Sequence, residues 1–258
     1  MNALSLFTGI MGIDIACEWA GINTVAMCER DQFCQKVIRK HKPDIPLYDD
    51  VCTLTKERLE ADGIECSSIG LISSGDPCQP SSQAGERKGA DDDRHLWPET
   101  NRILSAIRPR WILRENVIGN VTLGLDEVLT DLDDRGYTSQ SFTIPACAIG
   151  ADHERDRVFV VGYANRLSKS QENTLSYTIR KEWNTWQSTT RKFRRTISEF
   201  YRKENEPPVC RVDDGISTKF YNDRMKALGN AVNPHQIYPI VAAIKQIDHM
   251  LKESVANF

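Results

Sequence analysis

Short apolar runs that end in a glycine turn or an acidic residue alternate, over the first 160 residues, with stretches of helical apolar spacing. Residues 3–8 read as a buried strand that ends in a turn at Gly9 and Gly12. Ile13, Ala16, Cys17 and Ala20 then recur at helical spacing, and Gly21 stops that helix. Thr24 to Glu29 is a second strand with an acid at its end, and Asp31 is placed to cap a helix that runs to about Lys40. Further strands read at Ile69–Ser73, Trp111–Glu115, Ser139–Ile144 and Arg157–Gly162. Between them a helix starts near Pro98, an amphipathic helix covers Leu125–Leu132, and a last helix runs from about Pro234 to Leu251. Strands alternating with helices predict an α/β fold, a mostly parallel sheet with helices on both faces.

In an open sheet of this kind the ligand crevice lies beyond the carboxyl ends of the strands. Three features stand there. The glycine turn after the first strand lets a backbone approach a ligand and presents helix-terminal N–H groups; it equally suits a nicotinamide dinucleotide or a plain strand-to-helix turn. Glu29 is placed to accept both hydroxyls of a ribose, or is a solvated acid. Cys78, in Gly75-Asp76-Pro77-Cys78-Gln79, follows the Ile69–Ser74 run and is a candidate nucleophile, or else a small buried hydrophobe. Asp50, or its neighbour Asp49, is placed to cap the helix that follows.

The formal net charge of -3 hides an asymmetry. Residues 165–206 hold ten Lys or Arg and five Glu, a local +5, which leaves 23 basic and 31 acidic residues, or -8, for the rest. Tyr177, Trp183, Trp186, Phe193, Phe200 and Tyr201 lie among those charges. Basic residues interleaved with aromatics suit a surface that holds phosphates and stacks bases, and the composition equally suits a solvated insertion. No apolar stretch approaches the roughly 20 residues that span a bilayer. The first residues lack a secretion leader, and the eight cysteines form no Cys-x-x-Cys pair, so neither zinc nor a disulfide framework is expected. A reducing cytoplasm is the expected compartment.

Five segments, in order, resemble the cytosine-5 DNA methyltransferases. They are Leu6-Phe7-Thr8-Gly9-Ile10-Met11-Gly12, Gly75-Asp76-Pro77-Cys78-Gln79, Arg114-Glu115-Asn116-Val117, His153-Glu154-Arg155-Asp156-Arg157 and Ala227-Leu228-Gly229-Asn230-Ala231-Val232. The resemblance implies a Rossmann-like methyltransferase fold in three parts: a catalytic and cofactor-binding domain over 1–164, a short target-recognition region over 165–210, and a segment over 211–258 that returns to the first. It implies S-adenosyl-L-methionine as cofactor, held by Phe7, Gly9, Gly12, Glu29, Asp50, Pro77 and Asn230. It makes Cys78 the nucleophile on carbon 6 of a flipped-out cytosine, and Glu115 the partner of ring nitrogen 3. Arg157 then binds the carbonyl oxygen, with Arg155 in support. Residues 83–95 resemble the family's mobile loop, with Ser81, Ser82, Gln83 and Arg94 as DNA contacts.

The implied partner is double-stranded DNA, bound by a monomer without a metal, in a bacterial or phage-infected cell. Three residues depart from the family's pattern: Met11 stands for its middle glycine, Arg30 for an apolar residue against the adenine, and His153 for glutamine. A side chain at Met11 is expected to narrow the cofactor site. The alternatives are a transfer-RNA methyltransferase of the same fold, disfavoured by the lack of Cys-Phe-Thr, and a DNA-binding relative without activity. A nicotinamide-dependent dehydrogenase would leave the Pro-Cys-Gln and Glu-Asn-Val segments unexplained.

Overall fold

A computed structural model of the 258-residue chain describes residues 1–77, 95–149, 155–164, 174, 177–182, 184–185 and 218–256. Cys78, Ser81, Ser82, Gln83, Arg94 and His153 lie outside the described residues.

Among the described residues seven strands form one sheet: β1 (Asn2–Leu6), β2 (Asn23–Cys28), β3 (Leu47–Tyr48), β4 (Ile69–Ser74), β5 (Trp111–Val117), β6 (Tyr137–Ile144) and β7 (Arg157–Ala164), in the order β3-β2-β1-β4-β5-β7-β6. Pairing is parallel from β3 to β5, and β7 runs antiparallel to both β5 and β6. The strand order reverses at β1/β4, the switch point where a crevice opens between diverging connections.

The period of two in the strands sends alternate side chains to opposite faces. On one face Leu4, Leu6, Ile72, Ile112, Val158 and Val160 are buried with α3 (Lys56–Ala61), α4 (Trp97–Ile107) and α6 (Leu125–Asp134). On the other, Ala3, Leu71, Trp111, Leu113, Phe159 and Val161 pack against α1 (Gly12–Trp19) and the last helix, α8 (Pro234–Ala256). That helix buries Ile237, Ile240, Val241, Ile244 and Ile247, and so binds the end of the chain to the first strand-helix unit.

Local chemistry sets the ends of the elements. Asp31 caps α2 (Gln32–His41), accepting from the Phe33 and Cys34 N–H groups. Asp50 accepts from Cys52 N and caps the 3-10 turn Val51–Thr53. Pro98 sits in the first turn of α4, where its missing N–H costs nothing. The four-residue helix α5 (Asn120–Leu123) follows β5, and α7 (Thr218–Asn230) precedes α8. Residues 177–182 are helical, with Thr178 and Ile179 buried.

Candidate active site

The turn after β1 is strained in a regular way. Phe7, Gly9 and Met11 have φ of 55°, 58° and 68°, all left-handed. Only the glycine takes that conformation freely; a non-glycine pays roughly 1–2 kcal/mol for it. Strain of this sort persists where the surroundings over-determine it, commonly at functional sites. Here the Gly9 N–H donates to Glu29 Oε2 at 2.7 Å, and the Asp31 N–H donates to Glu29 Oε1 at 2.6 Å. Glu29 thus ties the turn to the end of β2, and each oxygen keeps acceptor capacity for a hydroxyl.

Met11 lies differently from the sequence expectation. Its side chain is 5% exposed and packs with Met27 and Ile38 beneath the turn. It fills a small apolar cluster between α1 and α2 and also lines a groove of about 720 Å³ with α7 on its far wall. Arg30 is exposed.

Gly12 opens α1 directly under the carboxy-terminal segment. A Cβ on it would lie 2.1 Å from Val232 O and 3.0 Å from Val232 C, so no side chain fits without moving backbone. Asn230, exposed, is thereby placed at the same end of the sheet as the glycine turn. Arg155 holds this segment from the other side: its Nη2 donates to Gly229 O and Ala231 O, both at 2.6 Å. Gln236, fully buried on α8, in turn donates to Ile144 O and to Arg155 O. Gln236 was not singled out in the sequence; only its place two residues into an apolar helix marks it.

Glu115 and Arg157 form the second centre. Arg157 Nε is 2.7 Å from Glu115 Oε1, with the side chains 12% and 9% exposed. Burial pushes the Glu115 carboxyl up from 4.5 to about 7, and the nearby Arg157 guanidinium only partly offsets this. At neutral pH the group therefore exists in both protonation states. Gly75 faces it: a Cβ there would lie 3.7 Å from Glu115 Oε2 and 3.6 Å from Phe7 O. The Gly75 N–H bonds Leu6 O at 3.3 Å, which places Gly75 between the β1 turn and the Glu115 carboxyl.

The neighbouring Arg114 turns to the opposite face. Its Nε and Nη2 donate to Asp76 Oδ1 and Oδ2 at 2.8 and 2.6 Å, and the pair is almost fully buried. Asp14, in the first turn of α1, is a further buried carboxylate. It accepts from Ser5 Oγ and Thr24 Oγ1, and burial raises it to about 6. Among the described residues no group of three or more His, Cys, Asp or Glu side chains could hold a metal ion. No described helix is long and apolar enough to cross a membrane.

Of the expected site residues, the structure brings Phe7, Gly9, Gly12, Glu29, Asn230 and Arg155 to one end of the sheet. Glu115 and Arg157 meet directly. Pro77 is exposed, and Asp50 caps a turn after β3 with one oxygen.

Similarity to known proteins agrees with this arrangement. A model of the family described as C-5 cytosine-specific DNA methylase matches residues 1–207. Type II methyltransferase M.AquIA of Picosynechococcus sp. is 32% identical over 182 residues, covering 65% of this chain and 73% of the relative. M.FnuDI of Fusobacterium nucleatum is 34% identical over 176 residues, covering 66% and 49%. M.CviJI of Paramecium bursaria Chlorella virus IL3A is 30% identical over 241 residues, covering 92% and 57%. The chain thus spans about half the length of the last two. The crystal structure of S. pombe Dnmt2 methyltransferase superposes with a TM-score of 0.63 at 15% identity, over 97% of this chain and 99% of that one, a likeness of fold. The family match ends before Ala227–Val232, and the contact of Gly12 with Val232 attaches that segment to the matched part. The chain belongs to the C-5 cytosine-specific DNA methylase family.

Proposed function

We propose that this protein transfers a methyl group to carbon 5 of a cytosine flipped out of double-stranded DNA, through a covalent adduct with Cys78. The observation that supports this most is the buried Glu115–Arg157 pair facing Gly75, three residues before that cysteine. A carboxyl near pKa 7 beside a guanidinium matches the edge of a pyrimidine. The protonated carboxyl donates to ring nitrogen 3 and the guanidinium donates to the carbonyl oxygen. Releasing Arg157 from Glu115 in part, to reach that oxygen, leaves both groups paired.

Carbon 5 of cytosine is a weak nucleophile, and attack on carbon 6 splits one hard step into two. The Cys78 thiolate forms a bond to carbon 6, and the 5,6 electron pair moves to carbon 5 as nitrogen 3 takes a proton from Glu115. Carbon 5 then takes the methyl group. Loss of the carbon 5 proton to water and breakage of the sulfur–carbon bond restore the thiolate and the aromatic ring, with the nitrogen 3 proton returned to Glu115.

S-adenosyl-L-methionine, when bound, would supply an electrophilic methyl group on a sulfonium, whose sulfur would keep the bonding pair and leave as a neutral thioether. The donor chemistry fits it. The Glu29 carboxylate at the end of β2 suits ribose hydroxyls, and the left-handed turn at Phe7, Gly9 and Met11 leaves the backbone close to the crevice. Phe7, Gly9, Gly12, Glu29, Asp50, Pro77 and Asn230 would hold it. Ser81, Ser82, Gln83 and Arg94 would contact the DNA, and residues 165–210 would read the target. The enzyme acts as a monomer in the cytoplasm of a bacterial or phage-infected cell, as a modification methyltransferase.

The test is covalent capture. Duplex DNA whose cytosines carry fluorine at carbon 5 cannot lose a proton there, so the adduct persists. With cofactor present, a denaturation-resistant complex is expected for the wild type. Its absence in the wild type, or its survival in Cys78→Ala, would refute the mechanism.

A further inference from the structure

Asp76, which precedes Pro77 and Cys78 in the chain, is gripped by a polar cluster that the chemistry above does not use. Asp76 is 5% exposed and its carboxylate accepts from four groups: Arg114 Nε and Nη2, Ser74 Oγ at 3.2 Å and Asn116 Nδ2 at 3.4 Å. Its backbone carbonyl accepts from Asn116 Nδ2 at 3.1 Å. Arg114 spends its remaining arm on Asn120 Oδ1 at 2.8 Å, and its guanidinium lies over the Trp97 ring, 5.3 Å from the centroid. Trp97 is itself fixed by Asp131 through its Nε1. Residues from β4 and β5 thus converge on one carboxylate, two positions before Cys78, and residues from α4 and α5 hold the arginine that grips it.

The geometry of β5 gives the cluster its meaning. Ser74, the last residue of β4, pairs with Arg114 in the parallel register. Arg114 and Asn116 point to one face and clamp Asp76, while Glu115 between them points to the other and meets Arg157. The same three residues of β5 therefore hold both the chain leading to the nucleophile and the carboxyl that faces the base. Asp76, Pro77 and Arg114 line a cavity of about 10 Å³, room for no more than a single water.

Apolar residues of like volume commonly hold a core as well as a buried ion pair does. A guanidinium–carboxylate fork adds direction, because two parallel bonds fix both position and orientation.

We infer that Asp76 and Arg114 are positioning residues, which set the start of the Cys78 segment in register with Glu115. The inference rests on the proposed reading of Cys78 as nucleophile. It predicts a loss in the rate of reaction at the bound base, with ground-state binding kept, since a displacement near 1 Å can cost about a hundredfold in rate.

The test compares wild type, Arg114→Lys and the neutral double variant Asp76→Asn/Arg114→Gln in single-turnover and steady-state methyl transfer to DNA. Folding is checked by urea unfolding. The lysine keeps the charge and loses the fork and the bond to Asn120. The double variant removes both charges and leaves neither stranded. Both are expected to fold, to keep KM for cofactor and DNA within about threefold, and to lose at least tenfold in kcat. A kcat within twofold of wild type in either folded variant would make the pair a structural feature only. Should the double variant not fold, Arg114→Lys alone decides. A wild-type protein without transfer would overturn the proposed function and this inference with it, an outcome distinct from active variants beside an active wild type.

Discussion

Glu115 makes the stability of this protein depend on pH in a direction opposite to that of an ordinary salt-bridged carboxylate. In the folded chain burial raises it to about 7, while in the unfolded chain it titrates near 4.5. Between those values the folded state holds a proton that the unfolded state has lost, so stability falls as pH rises. The contribution is fully present below pH 4.5 and is lost as pH passes through 7. At about 1.4 kcal/mol per pH unit, the interval corresponds to about 3 kcal/mol, most of it between pH 5 and pH 8. Glu115→Gln cannot titrate, so its stability should fall by about 2–3 kcal/mol less over that range. Urea unfolding at each pH, followed by fluorescence with Trp97 and Trp111 buried in the core, measures the difference. Asp14, raised to about 6 by burial, contributes with the same sign in both proteins and cancels in the comparison. Equal pH slopes in wild type and Glu115→Gln would refute the reasoning that burial, over the pull of Arg157, governs this carboxyl.

Other substitutions test how the cofactor end is built. Gly12→Ala forces a Cβ into Val232 O and is expected to cost about 1–3 kcal/mol in urea unfolding, with at least tenfold weaker cofactor binding by calorimetry. Met11→Gly removes a buried side chain worth about 2 kcal/mol and relieves about 1 kcal/mol of left-handed strain, a net loss near 1 kcal/mol. Because that side chain packs beneath the turn, cofactor affinity should stay within about twofold; a large gain would restore the idea that it narrows the site. Arg155→Met deletes the bonds to Gly229 and Ala231 and is expected to weaken cofactor binding about tenfold, near 1.4 kcal/mol, in the same titration.

Much of this architecture is legible in the sequence because both faces of the sheet are covered. The apolar runs at residues 3–6, 69–74, 111–113 and 158–161 read as strands, and the first three end where the crevice lies. The antiparallel run of β7 is not legible, since a β-branched run carries no sign of direction. Leu47–Tyr48 is too short to show an alternation, and α7 has too few apolar residues at helical spacing to announce itself. The pairing of Arg114 also escapes sequence reading. Adjacent to Glu115 in the chain, it faces away from it, because strand neighbours point to opposite sides and its true partner lies 38 residues earlier. Met11 shows the same limit from the other side. The glycine pattern marks the turn, while only the packing of Met27 and Ile38 shows where a side chain at that position goes.

The most direct measurement is transfer of labelled methyl from S-adenosyl-L-methionine to unmethylated double-stranded DNA, with bulk transfer RNA in parallel and Cys78→Ala as control. The account predicts label at carbon 5 of cytosine in DNA, abolished in Cys78→Ala and little or none in RNA. Label in RNA alone would contradict the assigned substrate. No label in either, from folded protein that binds the cofactor, would contradict the assignment of this chain as an active methyltransferase.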